Sequence, residues 1–118
     1  MTQAWVELTR PDGRQQASPS EAQLAAALAE VYGGTTQAPD GALASAVLRF
    51  GYDDGLMYEI EVAHGGDIRF EEWSDRDCEI ALASPRRMAS LAEPDALQLW
   101  KWLAQRQVAK IRSQPWLA

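Results

Sequence analysis

The sequence contains a single cysteine, Cys78, and a single histidine, His64. One cysteine excludes an internal disulfide framework and a Cys-based zinc site, and a lone thiol is what a reducing compartment permits. A long apolar run is also missing. The richest stretch, Ala22 to Val31, is mostly alanine and is interrupted by Gln23 and Glu30, well short of the roughly 20 apolar residues a membrane span needs. Residues 1–7 have neither the basic start nor the apolar run of a secretory signal, so a cytoplasmic protein with no membrane partner is expected. No glycine-rich loop follows a strand pattern, because Gly33-Gly34 closes a helical run instead of opening one; nucleotide binding has no support. Phosphate binding needs clustered Lys and Arg to release counterions. The net charge is −6, which argues against a nucleic-acid partner and suits a basic one.

What is present describes a folded domain. At 118 residues, 47% apolar and 24% charged, the chain lies outside the disordered regime and has room for one core, so a single domain over 1–118 is expected. Charge is unevenly placed. Tyr52 to Glu79 holds ten carboxylates against two arginines, a local charge of −8, whereas Ser84 to Ala118 holds six bases against two acids, a local charge of +4.

Trp5 to Thr9 alternates as a strand does, and Pro11-Asp12-Gly13 supplies a turn. Ser18-Pro19-Ser20-Glu21 has the form of a capping box and predicts a helix from Pro19, with Leu24, Leu28, Val31 and Tyr32 on one stripe. Strands are predicted over Val47–Tyr52 and Leu56–Ala63, joined by the hairpin signal Asp53-Asp54-Gly55, then over Asp67–Trp73 and Cys78–Ala83. Arg86 to Leu91 reads as a connection. A second helix starts at Pro94 and carries Leu97, Trp100, Ala104, Val108 and Ile111 before Ser113-Gln114-Pro115. The order β-α-β-β-β-β-α predicts an α+β fold, an antiparallel meander of four to five strands with two helices packed on one face.

Side chains alternate across a strand, so the two faces of the meander separate in the sequence. With the apolar set turned to the helices, the opposite face collects Glu59, Glu61, Asp67, Glu71, Asp77 and Glu79, with Met57 and Trp73 among them and Arg69 as internal relief. Like charges on neighbouring strands work mildly against folding. Such a face is either simply solvated or a binding surface. The candidate partner-binding residues are Glu59, Glu61, Arg69, Glu71, Trp73, Asp77 and Glu79, because tryptophan is enriched at binding hot spots and acidic rims speed association with basic partners. On the second helix, Leu99 and Trp102 point about 160–200° from the Leu97 and Trp100 stripe. They are covered by the first strand or the tail, or they form a homodimer surface.

Catalytic and metal chemistry find no constellation. His64 lies beside Gly65-Gly66 in a turn, and a His64–Cys78 dyad has no orienting third group in acidic surroundings that raise a thiol's pKa. Glu71 and Glu72 are adjacent in a strand and face opposite ways. Asp53-Asp54-Gly55 and Asp75-Arg76-Asp77 lack calcium-loop spacing. No catalytic residue, cofactor or metal is expected.

The chain resembles the small α+β immunity proteins that protect bacteria against polymorphic toxins, including those delivered by contact-dependent and type VI secretion. The likeness lies in Val6-Glu7-Leu8-Thr9-Arg10-Pro11-Asp12-Gly13, in the Ser18-Pro19-Ser20-Glu21 helix start with Leu24 and Leu28, and in the Gly65-Gly66 hairpin. It extends to Ala96-Leu97-Gln98-Leu99-Trp100-Lys101-Trp102-Leu103-Ala104 and Gln114-Pro115-Trp116. What the resemblance implies is a stoichiometric inhibitor that docks on a cognate toxin, commonly a nuclease or deaminase, and occludes its active site. A secretion chaperone or adaptor for an effector is the alternative, and would use Leu99 and Trp102.

Overall fold

The computed structural model describes residues 4–11, 13–33, 45–53, 55–74, 80–82, 85–114 and 116. It is an α+β fold whose strands β1 (Ala4–Thr9), β2 (Gln15–Ala17), β3 (Ser45–Tyr52), β4 (Met57–Ala63), β5 (Asp67–Trp73) and β6 (Arg86–Met88) form one antiparallel sheet in the order β2-β1-β3-β4-β5-β6. The helices are α1 (Glu21–Gly33), α2 (Glu93–Ala104) and α3 (Val108–Arg112). α1 and α2 lie side by side over β3 and β4.

The core forms where the inward side chains of the strands meet the helix stripes. Leu8, Ala46, Leu48, Phe50, Ile60, Val62, Ile68 and Phe70 from the sheet are buried against Leu24, Ala27, Leu28 and Val31 of α1 and Ala96, Leu99, Trp100 and Leu103 of α2. Trp100 is the largest fully buried side chain. Its indole Nε1 donates to Ile60 O at 3.2 Å, which satisfies the one polar atom that burying a tryptophan would otherwise strand.

Several elements depart from the sequence expectation. The capping box sits two residues later than Ser18-Pro19-Ser20-Glu21 suggests: Ser20 Oγ accepts from Gln23 N at 3.2 Å, and Gln23 Oε1 accepts from Ser20 N at 2.8 Å. Ser18 is held back at the end of β2, where its N–H donates to Val6 O at 2.9 Å. The hairpin after Gly13 adds β2, so the sheet has six strands instead of four or five. Arg86–Leu91, expected as a connection, supplies the edge strand β6, paired with Ile68–Phe70. Of the expected strand Cys78–Ala83, residues 78, 79 and 83 lie outside the described residues. Ala81 makes an isolated bridge to Trp73, while Ile80 and Leu82 are 63% and 52% exposed instead of facing the core.

The second helix is two. α2 stops at Ala104 in a Schellman-type turn, with Arg106 N donating to Leu103 O at 3.0 Å and Gln107 N to Trp102 O at 2.8 Å. Arg106 takes φ +64, the left-handed conformation that glycine adopts without steric cost. The break lets α3 fold back so that Ile111 joins the core and Trp116 stacks on Phe70, ring centroids 5.7 Å apart. It also places Arg112 on the edge of the core face, where its Nη2 donates to Glu72 Oε1 at 2.5 Å. Arg86 Nη1 is 3.7 Å from the other oxygen of Glu72. This inward carboxylate, buried at the end of β5, is thus paired from two directions.

Candidate protein-binding face

Pairing registers fix what the outer face presents. Moving across β1, β3, β4 and β5, one row runs Trp5, Gly51, Met57, Trp73. The next runs Glu7, Arg49, Glu59, Glu71, and the third runs Thr9, Val47, Glu61, Arg69 with Arg87 of β6 beyond. Glu59, Glu61, Arg69, Glu71 and Trp73 therefore share one surface, as the alternation predicts. Asp77 and Glu79 lie outside the described residues.

The aromatic row packs as a small second cluster. Gly51 leaves room for the Trp5 ring; an added Cβ would meet Trp5 Cζ2 at 2.5 Å. Met57, next in the row, is only 1% exposed although it faces away from the helices. Nothing in the sequence pattern separates a solvated methionine from this one. The signal is positional: a glycine in mid-strand invites a neighbouring ring to lie across it.

The acidic row is less bare than composition suggests. Arg49, which the sequence reading did not place on this face, donates from Nε to Glu59 Oε2 at 2.7 Å and reaches to 3.9 Å of Glu7. Arg69 Nη2 lies 3.1 Å from Glu61 and its Nε 3.0 Å from Glu71. The Nε contact to Glu71 is ionic rather than a hydrogen bond, the N–H not being aligned on the oxygen. Arg69 is accordingly not the sole relief on the face. Among the described strand residues, five carboxylates (Glu7, Glu59, Glu61, Asp67, Glu71) meet three guanidiniums (Arg49, Arg69, Arg87). The balance stays negative, but as an interleaved lattice. Arg49 was legible through the Asp53-Asp54-Gly55 hairpin, whose register sets it opposite Glu59.

Burial changes the chemistry of the lattice. Glu59 is 7% exposed and stands directly across from Glu71, whose side chain is 13% exposed. Burial raises the Glu71 pKa above the ordinary glutamate value, and the facing carboxyl of Glu59 raises it further; Arg69 and the Trp73 indole oppose the shift. Glu61 and Asp67 stay more open and, with Arg69 and Arg87, line a shallow depression of about 270 Å³ at the β6 edge.

The remaining expectations fall elsewhere. Leu99 is 2% exposed and belongs to the core, so the apolar surface expected of Leu99 and Trp102 narrows to a half-buried Trp102. Trp102 borders a depression with Met88, Leu91 and Gln98. His64 Nδ1 is 3.1 Å from Val31 O, at the C-terminal end of α1. Among the described residues no group of three His, Cys, Asp or Glu side chains is placed to hold a metal ion, and no helix is long and apolar enough to cross a membrane.

Comparison with protein-family models, with curated proteins and with solved structures returns no match.

Proposed function

We propose that the chain is a protein-binding inhibitor: a toxin-neutralising immunity protein that docks its outer sheet face on the basic surface of a cognate bacterial toxin and occludes it. A target that acts on nucleic acid has such a basic surface by necessity. The inhibitor works in the cytosol of the cell it protects. The observation that carries the proposal is the juxtaposition, on one face, of the Trp5–Gly51–Met57–Trp73 row with a net-negative carboxylate lattice. A rigid aromatic anchor beside acidic groups that steer a basic partner is the composition of an interface hot spot.

Burial divides the work on that face. Glu61, Asp67 and Trp73 are the accessible members, while Glu59 and Glu71 lie lower and shape the field. The alternative, a secretion chaperone for an effector, loses support because Leu99 is in the core.

The test is binding and inhibition of the toxin encoded beside this gene, with Glu61→Lys, Asp67→Lys and Trp73→Ala combined. The expected result is loss of inhibition at unchanged helicity and melting cooperativity. Full neutralisation by the triple variant would rule out this face, and stabilisation of the effector without loss of its activity would favour the chaperone.

A further inference from the structure

Glu72 is buried on the helix-facing side of β5, in register with Tyr58 of β4, and two arginines from different elements reach it. Arg112 of α3 donates from Nη2 to its Oε1 at 2.5 Å. Arg86 of β6 stops short. Its Nη1 stands 3.7 Å from Oε2 and is buried without a hydrogen-bond partner, the guanidinium lying over the Phe70 ring at 5.8 Å from the centroid. A buried donor left unmatched is costly, and the acceptor nearest to this one belongs to a carboxylate that Arg112 is holding.

Arg112 arrives as part of a small unit. α3 is five residues long and has no side-chain cap, too short to be stable by itself. It is hinged on Arg106, whose φ of +64 is unfavourable for a residue with a Cβ. Apart from Arg112, it is held by Ile111 in the core and by Trp116, which stacks on Phe70 and donates its indole Nε1 to Ile111 O at 2.8 Å. Ile111, Arg112 and Trp116 are thus tied to one another and fasten to the sheet in one place, over Phe70 and Glu72. What would oppose their detachment most is the buried carboxylate left behind, and Arg86 is placed to remove that obstacle.

We propose that Glu72 is a two-position latch: Arg112 holds it while α3 and Trp116 are closed over Phe70, and Arg86 takes it over when they swing away about Arg106 as one strap. The exchange keeps a charge-assisted hydrogen bond on Glu72 in both positions. Opening bares Phe70 on the same side of the sheet as Ile80 and Leu82, which are exposed already and point away from Trp73 because the intervening Ala81 pairs with it. The chain thereby holds a second apolar surface in reserve, across the sheet from the Trp5–Trp73 row. The latch is a property of the isolated chain and does not depend on what the outer face binds.

The experiment is native-state hydrogen exchange followed by NMR on the full chain. The Ser113 amide, bonded to Ala109 O at 3.1 Å, and the Trp116 indole N–H report the strap; interior amides of α2 are the reference. In wild type the two strap reporters should share one protection factor, below that of α2. Arg112→Ala should speed their exchange by about tenfold or more. Arg86→Met keeps an apolar stem over Phe70 but leaves Glu72 alone in the open position, so strap exchange should slow by about fivefold or more. Unchanged or faster strap exchange in Arg86→Met makes Arg86 a support of the closed form only and overturns the latch. In a Glu72→Gln background no charge is stranded, and Arg86→Met should leave strap exchange unmoved; slowing that persists there also overturns it. Should Arg86→Met fail to fold, wild type still decides, because strap reporters that exchange only together with α2 leave no separate opening for a latch to control.

Discussion

Replacing Gly51 by alanine strikes the outer aromatic row without touching the helix-facing core. The new Cβ would lie 2.5 Å from Trp5 Cζ2, 2.8 Å from Trp5 Cε2 and 2.8 Å from Leu56 O. Gly51 is not at positive φ, so alanine fits the backbone there and the whole penalty is steric. Overpacking of this kind costs about 1–3 kcal/mol, offset by about 0.4–1 kcal/mol from the smaller entropy of the unfolded chain. The net expectation is a destabilisation of about 1–2 kcal/mol. At roughly 4 °C per kcal/mol for a chain of this size, thermal denaturation followed by circular dichroism should show a midpoint lower by about 4–8 °C. Removing the ring first identifies the cause. In a Trp5→Ala background the same glycine substitution should cost less, with a coupling energy of about 0.5–2 kcal/mol, only the Leu56 carbonyl remaining in the way. Equal costs in the two backgrounds would refute the placement of Trp5 over Gly51 and with it the second cluster.

Arg112→Ala removes the 2.5 Å bond to Glu72 and leaves the buried carboxylate with Arg86 at 3.7 Å. Because Arg112 is itself half exposed, a loss of about 1.5–3 kcal/mol is expected in urea titrations. Ser20→Ala should cost about 1 kcal/mol through the lost helix cap while Ser18→Ala stays within about 0.5 kcal/mol of wild type; the reverse ranking would place the cap at Ser18. Arg106→Gly relieves the left-handed conformation at φ +64 and should raise the melting temperature by a few degrees, corresponding to about 0.5–1 kcal/mol.

Much of the architecture was legible because strand alternation and helix stripes are local. Leu24, Leu28 and Val31 are buried as their spacing predicts, and the face carrying Glu59, Glu61 and Glu71 follows from period two alone. The misplacements have tertiary causes. Ser18-x-x-Glu21 and Ser20-x-x-Gln23 satisfy the same capping pattern, and the choice falls to the second because Ser18 is engaged by Val6 in the sheet. The helix break at Arg106 carries no glycine to announce it; it is held by Ile111 and Trp116 packing on the core. Leu99 stands about 200° from Leu97 on the helix but only about 100° from Trp100, its neighbour in sequence. The buried arc of α2 is wide enough to take both, because α1 flanks it on one side and α3 on the other. The charge pairing on the outer face takes one step beyond periodicity, since it depends on which arginine a hairpin register sets beside which carboxylate.

Two of the tight turns of the sheet differ in what surrounds them. At Gly66 an added Cβ would meet Leu91 O at 2.3 Å, and Leu91 N donates to Gly66 O at 2.9 Å, whereas an added Cβ at Gly13 would have nothing within 4 Å. The β4–β5 turn is therefore riveted to the segment that launches α2, and lengthening it would pry the helical layer away from the strands. A peptide epitope or fluorophore spliced in beside Gly13 would project into open solvent, far along the sheet from β4 and β5, and leave both the fold and the Trp73 surface free for measurement.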